Sequence, residues 1–229
     1  MSEVSEKEAS MPGETRLKNN VSVKENTGTL TRVARNITNL AAPPILAIPT
    51  YLILGLYDTE SHIPSERYWL GQFLAITFGV TIPIVLVLLL RIGNKVNSIH
   101  IPIRSQRTIP FILTITSYLV GVVLLLVFYG NGYVTALAIC YTANLLIVLL
   151  INFFWKISVH MTGVGSPLAI LTITSGGVIA PFFLLFPMVG WARVYLKAHT
   201  LPQVIGGSVF GYFFSLFQLI YIFKPIGWF

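Results

Sequence analysis

The chain has 229 residues, 55% of them hydrophobic and only 10% charged, with a mean hydropathy of +0.77, which places it in the polytopic membrane class. The net charge of +7 does not signal a nucleic-acid partner, because the apolar runs leave no soluble basic surface. It belongs instead to membrane orientation and anionic headgroups.

A lone cysteine, Cys140, lies inside an apolar run, so neither an intramolecular disulfide nor a Cys-based metal site is available. All eight Asp and Glu lie at or before Glu66, and no carboxylate follows. That removes carboxylate proton relays, two-metal phosphohydrolase sites and Asp/Glu general bases from the membrane core. Chemistry there falls to His, Ser, Lys, Arg and amides.

Residues 1–36 read as a disordered polar tail, poor in large apolar groups, with helical character at 30–39 near the membrane. The acidic start and the lack of an early apolar core argue against a signal peptide. Residues 37–229 form the transmembrane domain. Its apolar runs cover 38–57, 69–91, 108–129, 133–155, 160–175, 177–195 and 202–223, against the ~20 residues that a spanning helix needs. The expectation is an all-α bundle of about seven transmembrane helices, with six as the alternative count and 160–195 as a hairpin of short spans.

With seven spans, the tail and the links after spans two, four and six share one side. Of the fifteen Lys and Arg, only Arg67 and Lys224 fall on the other. The positive-inside tendency then makes the tail and these links cytoplasmic in an inner or plasma membrane. His100, His160 and His199 each fall in one of the three links, while His62 sits in the acidic loop 58–67.

The three links read His100-Ile-Pro-Ile-Arg104-Ser-Gln-Arg107, then Lys156-Ile-Ser158-Val-His160, then Arg193 through His199 to Gln203. Arg suits bidentate contact with phosphate oxygens. Histidine serves as nucleophile or general acid near neutral pH. Arginines with two histidines and no carboxylate fit metal-free phosphoryl transfer through a phosphohistidine. They fit carbonyl or glycosyl chemistry poorly.

These residues resemble the type 2 phosphatidic acid phosphatase superfamily of integral membrane proteins. Its third motif, Ser-Arg, five residues, His, three residues, Asp, is matched in spacing by Arg193, His199 and Gln203, with Ala192 in place of Ser and Gln203 in place of Asp. Its second, Pro-Ser-Gly-His, is matched by Ser158 and His160, with Ile157 and Val159 replacing Pro and Gly. Its first, Lys, six residues, Arg-Pro, is matched in spacing by His100 and Arg107, with Thr108 in place of Pro. The resemblance covers roughly residues 40–222 and is closest to a small bacterial branch whose members also carry Ala and Gln at positions 192 and 203.

The resemblance implies His199 as nucleophile on phosphorus, Gln203 as support for its ring, and His160 as the acid for the leaving group. Arg193, Arg107, Ser158 and His100 would bind phosphate. It implies no metal or other cofactor. The substrate would be a phosphatidate, phosphatidylglycerophosphate or isoprenyl diphosphate with its tail in the bilayer. The alternative is a catalytically silent relative that binds lipid phosphate or serves as a structural subunit of a membrane complex.

Plain roles account for other positions. Lys197 reads as an orientation charge. Gly163, Gly165, Gly206 and Gly207 read as close helix packing, and Tyr57, Trp69, Trp155 and Trp228 as interface belts.

Overall fold

The computed structural model describes residues 28–61, 63–98, 101 and 103–228, and every regular element among them is helical. The first is α1 (Thr29–Leu40), followed by α2 (Pro43–Ser61), α3 (Ser65–Ile92), α4 (Arg104–Phe128) and α5 (Tyr133–Asn152). Then come α6 (Val159–Ser175), a tight helical run Gly176–Leu184, α7 (Leu185–Tyr195) and α8 (Leu201–Phe223). The predicted boundary between tail and membrane domain at 36/37 falls inside α1. Hydrophobic positions recurring at helical spacing carry that helix across it. The disorder expected for residues 1–27 lies outside the described residues, as do His62 and His100.

Five helices are long and apolar enough to cross a membrane: α3, α4, α5, the continuous stretch Val159–Tyr195, and α8. A sixth is gained if α1 and α2, bent by 47° against each other, cross as one. The stretch Val159–Tyr195 has 37 residues and as a straight rod would reach about 55 Å. It is broken at Gly176, whose φ of +55° combined with a ψ of -135° is a conformation that residues with a β-carbon rarely adopt. A Cβ built on Gly190 would lie 3.9 Å from Met161 Cε. The stretch therefore folds back, as the hairpin expected at 160–195.

Helix α6 is the axis of the bundle. His160 through Leu171 are all buried, which explains why its apolar residues show no single face. Its small residues let neighbours approach at backbone distance. A side chain at Gly163 would run into the Pro43 ring, at Gly165 into the backbone of Tyr212, and at Gly207 into the Ser158 carbonyl at 2.6 Å. At Gly206 it would meet the Trp155 indole at 2.7 Å. All four glycines named from sequence are packing positions.

Polar cross-links reinforce the contact in the hydrocarbon layer, where water offers no alternative partner. Asn144 of α5 donates to Ser166 of α6 and to Ser215 of α8, both at 2.8 Å, and accepts from Gln218 of α8 at 3.1 Å. On the opposite side of the bundle, α3 packs on α4 mainly through apolar side chains, with the Ser117 hydroxyl donating to the Phe78 carbonyl at 2.7 Å.

Asp58, fully buried near the end of α2, caps α5 from outside its own sequence. Its carboxylate accepts from the backbone N–H groups of Tyr133 (2.6 Å) and Val134 (3.0 Å) and from the Tyr129 hydroxyl (2.9 Å). The first N–H groups of a helix lack intrahelical acceptors and the helix end is partly positive, so a buried anion there is doubly favoured.

Candidate functional site

Four residues named from sequence line one cavity of about 460 Å³: Arg107, His160, Arg193 and His199. All are buried, with exposures of 3, 8, 4 and 6%. The starts of α2, α4 and α6, the end of α7 and the link into α8 therefore meet at one end of the bundle, where the three charged links were expected to converge.

Each side chain is set by local structure. Arg107 closes the tight turn that opens α4, and its guanidinium is anchored on two links at once. Nε donates to the Ile101 carbonyl at 3.0 Å and Nη1 to the Ile157 carbonyl at 3.3 Å. Ser158 is the extended residue before α6, which puts His160 in that helix's first turn. Unpaired N–H groups and the positive helix end favour an anion at such a place. The Ser158 hydroxyl is fully buried and has no hydrogen-bond partner among the described residues. Arg193 lies in the last turn of α7, and its buried Nε also lacks a partner there.

The link 196–200 wraps over the end of α7. Lys197 turns the chain at a φ of +52°, and the N–H groups of Ala198 and His199 both donate to the Arg193 carbonyl, at 3.0 and 3.3 Å. Thr200 then opens α8 through a reciprocal cap with Gln203. Gln203 Oε1 accepts from the Thr200 N–H at 3.2 Å, which identifies that atom as the amide oxygen. The same oxygen lies 3.1 Å from His199 Nδ1, and the Lys156 carbonyl lies 3.3 Å from it. Neither oxygen can donate, so Nδ1 carries the proton and Nε2 keeps its lone pair.

Burial, then the charges of Arg193 and Arg107, push the His199 pKa from 6.5 down to about 4, against a smaller upward pull from Gln203. The imidazole is neutral at neutral pH, the form a nucleophile needs.

The remaining expected positions are distributed as follows. Gln203 stands behind His199, and Ser158 is adjacent to the cavity-lining Val159. Ala192 is fully buried and does not line the cavity. His100 is outside the described residues. Lys197 is exposed, in keeping with an orientation charge. Arg104 is exposed and donates to the Phe153 carbonyl at 3.3 Å.

Sequence reasoning missed two contributors. Lys156 enters the sequence reading only as one of the charges of its link, yet its ammonium donates to the Ala198 carbonyl at 2.9 Å. Its position two residues before Ser158 was the available signal. Asn39, Ala42, Pro43 and Pro44 form part of the cavity wall, and nothing in their types announces it.

Below the cationic end the cavity is apolar. Arg107, Pro110, Phe111, Thr114 and Tyr118 line it from α4 at the spacing of one helix face, with Pro83, Ile84, Val87 and Leu88 of α3 beside them. From Arg107 to Tyr118 the helix advances about 16 Å, close to half the ~30 Å hydrocarbon thickness. Ile45, Ile84 and Leu88 on its rim are also exposed on the outside of the bundle. Comparison of the chain with protein-family models, with curated proteins and with solved structures returns no match.

Proposed function

We propose that the chain is a metal-independent hydrolase of lipid phosphates or diphosphates that works through a phosphohistidine at His199, as the type 2 phosphatidic acid phosphatases do. One observation carries the reading. Arg107, His160, Arg193 and a neutral His199 line the cationic end of an apolar groove one leaflet deep, with the buried Ser158 just before the first turn of α6. A phosphoryl group accepts from these donors, and a hydrocarbon tail fills the groove.

In the first step the Nε2 lone pair attacks phosphorus and the bond to the leaving oxygen breaks. That oxygen takes a proton from His160. The arginines, Ser158 and the first turn of α6 hold the non-bridging oxygens as charge shifts among them. Water then cleaves the P–N bond, with His160 accepting its proton, and inorganic phosphate leaves with His199 restored.

The test is release of inorganic phosphate from phosphatidate, phosphatidylglycerophosphate and isoprenyl diphosphate by the purified protein. Because the folded state depresses the His199 pKa, its nucleophilic form persists well below neutrality. The acid limb of the pH profile is expected to fall near about pH 4; a limb near pH 6.5 would mean an unshifted imidazole.

A second reading is favoured by Gln203, which holds the ring without the negative charge that would stabilise an imidazolium. On it the pocket binds lipid phosphate and does not turn it over. Tight binding with no phosphate release selects this alternative.

Counted with α2 as a separate pass and Val159–Tyr195 as two, the chain crosses seven times with the site on the cytoplasmic side. Cys140 is buried and leaves no labelling background. In intact cells an impermeant thiol reagent should label Ser65→Cys and spare Ser98→Cys. The reverse pattern would overturn the orientation.

A further inference from the structure

Lys156 is placed where an orientation charge gains nothing. Its ammonium is not extended toward water but is half-buried and bonded to the Ala198 carbonyl at 2.9 Å. Burial and the neighbouring charges of Arg107 and Arg193 lower its pKa, so the position disfavours a cation while no anion is bound. Its backbone is engaged as well, since the Lys156 carbonyl lies 3.3 Å from His199 Nδ1. Two residues on, the Ser158 N–H donates to the Gln203 carbonyl at 3.2 Å. The segment before α6 and the link into α8 are thereby fastened along their length, on both flanks of His199.

We propose that Lys156 is a positioning residue for His199: its side chain grips the link at Ala198 while its carbonyl fixes the imidazole proton on Nδ1 and leaves Nε2 toward the cavity. The proposal rests on His199 as the nucleophile of the preceding section. It also explains how the ring is oriented without a carboxylate. Two neutral oxygens, from Gln203 and from the Lys156 backbone, replace one charged acceptor, and the backbone oxygen is only as well placed as the side chain that anchors its segment.

Among the described residues, the charged and titratable groups around His199 are Arg193 on α7, Arg107 on α4, His160 on α6 and Lys156 itself, with Lys197 exposed in the same link. Lys156 lowers the His199 pKa, so removing its charge has a defined sign.

The experiment is ¹⁵N-histidine NMR of the full chain in detergent micelles, with the His199 signal assigned by its loss in His199→Gln. Wild type should show the Nδ1–H tautomer down to about pH 5. Lys156→Met should show mixed tautomers and a titration moved upward, while Lys156→Arg should restore the wild-type pattern. The turnover number for phosphate release should fall about 10-fold or more in Lys156→Met and recover in Lys156→Arg.

Wild-type tautomer and titration in a folded Lys156→Met protein would overturn the proposal. If Lys156→Met does not fold, Lys156→Gln removes the same charge and is judged by the same criteria. The expected NMR pattern with no phosphate release by wild type from any lipid phosphate would sink the hydrolase reading and leave the positioning role standing.

Discussion

Replacing His199 with Ala is expected to abolish phosphate release from lipid phosphates, by about 10⁴-fold or more, while the protein keeps its fold. Arg193 and Arg107 are held from other elements, and the link that carries His199 is fastened through backbone atoms of Ala198 and Arg193. The variant should therefore still bind lipid phosphate. Acid quenching of wild type with a ³²P-labelled substrate should trap an acid-labile phosphoprotein that His199→Ala fails to form. Full release by the variant would remove His199 as nucleophile. Gln203→Ala is expected to lose less, because the Lys156 carbonyl still accepts from Nδ1.

The second large effect is on stability, at the other end of the bundle. Asp58→Ala strips acceptors from the N–H groups of Tyr133 and Val134 and from the Tyr129 hydroxyl, in a place without water. Each buried donor left unsatisfied costs about 1–3 kcal/mol, so the total is about 3 kcal/mol or more. A fall of roughly 10 °C in the detergent melting temperature is expected. Asp58→Asn keeps an acceptor and should lose less. A melting temperature unchanged in Asp58→Ala would mean that α5 does not depend on this cap.

The third link was legible because its parts are local. Arg193, His199 and Gln203 lie within eleven residues, and the loop that joins them is closed by bonds among those residues. The partition of Lys and Arg among links is read from the sequence itself, and with seven spans it gives the orientation proposed above. What sequence could not carry were pairings over long separations. Asp58 stood out as an acid in a short loop, but its partners begin 71 residues later at Tyr129. Arg107 matched a motif by spacing alone, while its anchor on the Ile157 carbonyl spans 50 residues. Lys156 was counted as a cation of its link and given no role at the site, because a charge in a link looks the same whether it faces headgroups or a neighbouring loop. The helical character expected at 30–39 is met by α1, because a short amphipathic repeat is itself a local signal.

The hydrogen bonds that Asn144 donates to Ser166 and Ser215 and accepts from Gln218 have a further consequence. They tie α5, α6 and α8 into a single stiff half that carries Ser158, His160 and Gln203. The other half, α3 against α4, is held mainly by dispersion and shape, and it supplies one wall of the groove, with the start of α2 beside it. Apolar contacts slide and repack at small cost where directional bonds do not. On the proposed lipid-phosphate reading, tails of different shape are accommodated by the compliant wall while Ser158, His160 and His199, held by the stiff half, stay in register.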